Sequence, residues 1–322
     1  MEAPAIKELT AFEKEVLKGL TQYPKKIASK FIYDKRGDEL FQQIMAMPEY
    51  YLTNCEFDIL QQNCDEICAV FDDENGFDLI ELGAGDGKKT KILLEKLSQL
   101  PTDFTYLPID ISKNALDELK TSIQKELPKV KVKVQQGMYF DVLQQFENYT
   151  SRKKVILVLG SNIGNLLHSE AIDFLRKISK SMNKNDLLFM GFDQKKDPEK
   201  ILNAYNDPNG ITEAFNKNLL LRMNKELQAN FDLSNFKHWE TYNPETGTAE
   251  SFLVSLVPQK IELKKLNLHV EFKQWESIHT EISQKYDDEV VEWLAGEANL
   301  YIEHVFTDAE KNYKNYTFRK KT

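Results

Sequence analysis

Residues 77–97 read FDLIELGAGDGKKTKILLEKL, and this stretch decides the fold. FDLIELG (77–83) is a short apolar run of the kind buried on both faces of a parallel sheet. Three alternating glycines follow (Gly83, Gly85, Gly87), and then KKTKILLEKLSQL places apolar residues three and four apart, as a helix does. Glycine allows the tight turn and lets a ligand approach the backbone, while the helix start offers unpaired N–H groups. The dinucleotide fingerprint G-x-G-x-x-G needs glycine at 88, where this chain has Lys88, so a nicotinamide oxidoreductase is disfavoured.

Outward from this turn the alternation repeats. FTYLPID (104–110), VKVKVQQG (130–137), KVILVLG (154–160) and DLLFMGF (186–192) read as strands. ISKNALDELKTSIQKEL and SEAIDFLRKISKSM read as helices. Strand–helix alternation predicts an α/β fold with a Rossmann-like, doubly wound parallel sheet. The pattern then changes: residues 196–230 are helical, 249–283 read as short strands, and DDEVVEWLAGEAN precedes two closing strands. The expected organisation is a nucleotide-binding domain over 62–195 and 286–322, with a second α+β lobe over 1–61 and 196–285.

Composition narrows the function. The 322 residues carry 42 Lys+Arg against 51 Asp+Glu, a net charge of −9, which argues against a nucleic-acid grip. No apolar run approaches the roughly 20 residues of a membrane span, and the first residues, MEAPAIKELTAFEKEVL, lack a signal-peptide pattern. Three cysteines (Cys55, Cys64, Cys68) make no disulfide framework, and no metal-ligand set accompanies them. The five histidines are scattered without ligand spacing. The expectation is a cytoplasmic, monomeric, metal-free protein acting on a small molecule.

Glu81, two residues before G-x-G-x-G, gives a spacing that resembles the S-adenosylmethionine (SAM) loop of class I methyltransferases. Asp110 closes the second strand, placed to accept both ribose hydroxyls, and Gly137, Met138 and Tyr139 end the third, where such enzymes hold adenine. After the fourth strand stands GSNIGN (160–165) rather than the [DN]-P-P-[YF] of nucleobase or glutamine-amide methylation. Asn165 there suits a carboxylate, or else caps the next helix.

A more specific resemblance runs over nearly the whole chain. FIYDKRGDELFQQIMAMPEYYLTNCE (31–56), ELGAGDGKKT (81–90), YLPIDIS (106–112), LGSNIGNL (159–166), AYNDPNGITEAFNKNLL (204–220) and HTEIS (279–283) occur in this order. Together they resemble the histidine Nα-methyltransferase family of the ergothioneine pathway. The resemblance implies three successive methyl transfers from SAM to the α-amino group of free histidine, giving the betaine hercynine. It further implies that Asn165 and Tyr205 hold the amino-acid carboxylate, that Tyr50, Glu281 and Ser283 grip the imidazole, and that Tyr33, with Phe41, walls the amine, whose proton is expected to pass to water or through Tyr33. Gly83 and Gly85 in the loop, with Lys89, Asp110, Met138 and Tyr139, fall at SAM contacts. The chain departs from the family in having Met138–Tyr139 where an acid and Phe are usual, and Ser251 at a substrate-pocket methionine. Ser251 therefore bears on acceptor choice, and another amino acid or amine, or a catalytically silent SAM- or amino-acid-binding relative, is the alternative.

Overall fold

The computed structural model describes residues 8–145 and 152–321. The chain divides into two compact units, Met1–Tyr51 with Lys196–Ser283 and Leu52–Lys195 with Gln284–Thr322. The first unit begins with helix α1 (Ala11–Thr21), strand β1 (Lys25–Lys26) and α2 (Lys35–Met45). The second takes over with α3 (Leu52–Gln62), α4 (Cys64–Phe71), β2 (Phe77–Leu82), α5 (Lys88–Leu97), β3 (Phe104–Asp110) and α6 (Lys113–Glu126). It continues through β4 (Lys131–Val132), β5 (Gln135–Gln136), α7 (Tyr139–Gln145), β6 (Lys153–Val158), α8 (His168–Ser181) and β7 (Leu187–Asp193). The first unit resumes with α9 (Pro198–Tyr205), α10 (Ile211–Leu227), β8 (Phe236–Asn243), β9 (Thr248–Ser255), β10 (Gln259–Leu263), β11 (Leu268–Phe272) and β12 (Ser277–Gln284). Finally α11 (Asp288–Glu297), β13 (Leu300–Thr307) and β14 (Tyr313–Lys320) return to the second.

The second unit is built on one sheet ordered β13-β14-β7-β6-β2-β3-β4, with β5 also on β3. Strands β4, β3, β2, β6 and β7 run parallel, and β14 and β13 are antiparallel. Every residue of β2 is buried, as the apolar run requires of a strand covered on both faces. Ile80, Leu82, Ile156 and Val158 pack with Ala171 and Leu175 of α8 and Leu294 of α11. On α4, Phe71 meets the rings of Phe77 and Phe189 at 6.5 and 5.4 Å. Connections leave β2 towards β3 and β6 towards β7, so the winding direction reverses between β2 and β6. Ligands bind at the carboxyl ends of strands at such a switch point. This is the α/β, Rossmann-like, doubly wound sheet that the alternation predicts.

Two details differ from expectation. VKVKVQQG forms two two-residue pieces, Lys131–Val132 and Gln135–Gln136, and Lys133 N–H bonds to Tyr106 O (2.9 Å) between them. It lies at the sheet edge, where a run of alternating lysines gains little from burial. Helix α3, expected in the second lobe, belongs to the sheet unit instead. Its apolar face carries the fully buried Glu56, which is bonded to Lys89, Tyr313 and Asn315 of that unit.

The first unit holds a sheet ordered β1-β12-β9-β8 and a two-stranded β10-β11 hairpin. Burial alternates residue by residue along β9 and β12, the period-two pattern of half-buried strands. Phe231, Phe236 and Phe272 pack as neighbouring rings 5.5–6.3 Å apart.

Candidate active site

In the sheet unit the expected cofactor residues gather at the carboxyl ends of β2 and β3. Gly83, Gly85 and Gly87 have φ of 76°, 52° and 68°, the left-handed region that glycine enters without strain. A Cβ on Gly83 would lie 2.5 Å from the Tyr139 hydroxyl, whereas one on Gly85 would meet nothing within 4 Å. The turn is thus closed on one side by Tyr139 and open over Gly85. Asp86 Oδ1 accepts at 3.1 Å from the N–H of Lys88, the first residue of α5, while Gly87 is the N-cap. Asp110 uses Oδ1 to accept from Ser112 N–H at 2.8 Å, which fixes the carboxylate while leaving capacity for further donors. Asp110 O accepts from Gly137 N–H at 3.0 Å, which brings the end of the third strand beside it. Met138 is 62 % exposed, and Tyr139 is held protonated by burial and then by the charge of Asp110.

Behind the turn, Glu81 is buried and accepts from Thr90 Oγ1 at 2.6 Å and from the Tyr106 hydroxyl. Burial pushes its carboxyl up to about 7, against the opposing pull of those two hydroxyls. Lys89 is bonded to Glu56 Oε2 at 2.6 Å. Glu56 is absent from the expected site, although its spacing was a signal. Leu52, Glu56, Ile59 and Leu60 lie at i, i+4, i+7 and i+8, which puts an acid on the buried face of an amphipathic helix. Asn165 ends a single 3-10 turn after β6 and is exposed. It does not cap α8, which begins after Leu167 with Glu170 accepting from the Leu167 N–H at 3.0 Å.

The first unit assembles an aromatic cluster. Tyr33 stands edge-on to Phe41 and Phe215 with centroids 5.4 and 5.2 Å away, and Tyr50 edge-on to Tyr205 at 6.1 Å and Phe41 at 6.3 Å. The Tyr205 hydroxyl and Ser283 Oγ are 2.7 Å apart, and His238 Nε2 holds Tyr205 O at 3.0 Å. Tyr33 is driven far above the ordinary phenol range by burial, then by the charges of Glu281, Tyr50 and Tyr205. Tyr33, Tyr50, Tyr205, Glu281 and Ser283 are therefore neighbours, although they come from four separate segments, with Glu281 and Ser283 both on β12. Phe215 joins them unforeseen, hidden in the sequence as one more apolar residue of α10. Ser251 is buried on β9, and its hydroxyl donates to Glu240 Oε2 at 2.6 Å across the β8–β9 pair. It is thereby tied to its neighbouring strand rather than presented as a free donor.

No group of three or more His, Cys, Asp or Glu among the described residues could hold a metal ion, and no described helix is long and apolar enough to cross a membrane. The sequence profile of histidine-specific, SAM-dependent methyltransferases matches residues 12–320. The chain belongs to the histidine-specific methyltransferases. Within this family it is 33% identical over 298 residues to the histidine N-alpha-methyltransferase of Mycolicibacterium smegmatis, covering 92% of this chain and 91% of that one. It is 28% identical over 303 residues to ergothioneine biosynthesis protein 1 of Schizosaccharomyces pombe, across 91% of this chain and 39% of that one. A more distant relative, at 27% identity over 301 residues, is the 4-dimethylallyltryptophan N-methyltransferase of Claviceps fusiformis, with 85% and 82% covered. As a histidine-specific methyltransferase the protein uses SAM, and its own residues fit that donor. The space over Gly85 admits a close-lying chain, Asp110 offers carboxylate capacity for a diol, and the exposed Met138 edge leaves a face for an adenine ring.

Proposed function

We propose that this methyltransferase trimethylates the α-amino group of free L-histidine to hercynine. SAM supplies an electrophilic sulfonium methyl, and the protein's share is to hold donor and amine in line and exclude water. In this reading Gly83, Gly85, Lys89, Asp110, Met138 and Tyr139 hold the cofactor. The unit formed by residues 1–51 and 196–283 binds histidine. Tyr50, Glu281 and Ser283 take the imidazole, where a carboxylate facing a ring N–H selects the tautomer and rejects side chains that leave it unpaired. Tyr205 brings a neutral donor for the carboxylate.

The observation that carries this reading is the cluster of three tyrosines around one acid. The raised Tyr33 keeps its proton near neutral pH. It therefore serves not as a base but as a hydroxyl that accepts an amine N–H, orients the nitrogen and passes the released proton towards water. Ring faces also favour an amine that becomes a fixed cation by the third transfer. The net charge of −9 and the absence of a long apolar run support a cytoplasmic enzyme, read here as a monomer without nucleic-acid or membrane partners.

The decisive assay offers SAM and each free amino acid in turn, with products weighed by mass spectrometry. Histidine gaining up to three methyls supports the proposal. Turnover of another amino acid or amine with none of histidine would replace the acceptor, and SAM binding without product would make the protein a silent relative.

A further inference from the structure

Glu56 sits at the centre of the sheet unit, and the transfer chemistry leaves it without a role. It is fully buried, and four groups donate to its carboxylate. Oε2 accepts from Lys89 Nζ at 2.6 Å and from Gly160 N–H at 2.7 Å. Oε1 accepts from the Tyr313 hydroxyl and Asn315 Nδ2, each at 3.0 Å. A Cβ on Gly191 would lie 2.3 Å from Oε1, so β7 keeps room for this acid with a glycine. Lys89 lies in the first turn of the helix after β2, and Gly160 lies in the turn after β6. One oxygen therefore ties together the two strand ends at which the winding reverses, the place where such sheets bind ligands.

We propose that Glu56 is the positioning residue for the amino-acid end of SAM. A lysine on a flexible stem is a poorly fixed donor. Paired with a buried carboxylate it is held in one place, because leaving that carboxylate alone is costly. Glu56 takes one of three ammonium N–H groups, and the Lys89 side chain stays 21% exposed, which leaves donors open for the carboxylate that terminates SAM. The same contact to Gly160 fixes the gap between the two turns. This inference rests on the assignment of Lys89 to the cofactor.

Calorimetry on the full chain with SAM, S-adenosylhomocysteine and methylthioadenosine, the thioether nucleoside that lacks the amino-acid end, tests it. Glu56→Gln should weaken SAM and S-adenosylhomocysteine about tenfold and leave methylthioadenosine within about twofold, the scale of one charge-assisted bond. Lys89→Met should show the same selectivity, and adding Glu56→Gln to it should change little more. If Glu56→Gln does not fold, Glu56→Asp, which keeps the charge and withdraws it, should give the same selective loss. Equal weakening of all three nucleosides, unchanged SAM affinity, or effects that multiply in the double variant would each overturn the proposal. A wild-type protein that binds methylthioadenosine and SAM equally well would instead remove the Lys89 assignment on which it stands.

Discussion

Asp110 and Glu281 each place a carboxylate where a ligand's polar hydrogens are expected, and each gives a separable test. Asp110→Asn keeps the bond to Ser112 N–H and removes the charge, so SAM affinity should fall by about 1.5–3 kcal/mol, roughly ten- to a hundredfold. Titration calorimetry reads this directly, and unchanged affinity would remove the ribose assignment. Glu281→Ala should raise the KM for histidine about a hundredfold or more with SAM binding nearly constant, since only the acceptor loses a partner. Steady-state kinetics with either substrate varied would separate this from a structural role, which would depress both. These residues differ in how far the sequence reveals them. The glycine turn and Asp110 are legible because backbone conformation and strand length fix their spacing. Tyr33, Tyr50, Tyr205 and the Glu281–Ser283 pair, two apart on one face of β12, share no common local pattern and are joined only by an ordered resemblance. Phe215 and Glu56 escape because their importance lies wholly in tertiary neighbours.

Among the elements, β2 carries a pH-sensitive end. Glu81 is raised from an ordinary 4.5 to about 7 by burial, so it binds a proton more tightly in the folded chain than in the unfolded one. Its contribution is complete below about 4.5 and is lost as the pH climbs through about 7, a decline of roughly 3 kcal/mol. Thermal midpoints measured from pH 5 to 8 should fall for the wild type by this route, and Glu81→Gln should flatten the slope. A slope unchanged by the substitution would mean that Glu81 does not titrate there. The order of β2, α5, β3, α6, β6, α8 and β7 was legible from periodicity, because apolar runs flanked by glycine signal buried parallel strands; α7 and β8 were not read. The broken β4–β5 edge and the allegiance of α3 were not, since both depend on which partner covers a face.

Across the whole molecule each unit is stitched from two separated stretches of chain. Where the chain leaves the sheet unit after β7 and returns before α11, Gln194 and Tyr286 pair as a parallel bridge, and Lys285 Nζ meets Asp193 Oδ2 at 2.8 Å with both side chains buried. Asp193→Ala should cost about 3–5 kcal/mol, because it leaves an ammonium buried without its anion, while Asp193→Leu with Lys285→Met should cost far less. Denaturant unfolding of both variants checks this; equal losses would mean that the site needs charge for another reason.

The order of strands has a consequence for synthesis. β14 (Tyr313–Lys320), the last strand of this sheet in chain order, lies not at the rim but between β7 and β13, and it brings Tyr313 and Asn315 to Glu56. Until it emerges, β7 has a bare flank and the acid that holds Lys89 lacks two of its donors. Nascent chains that stop before this strand should therefore be protease-sensitive and nucleoside-blind, and the sheet unit should snap shut only once β14 has emerged.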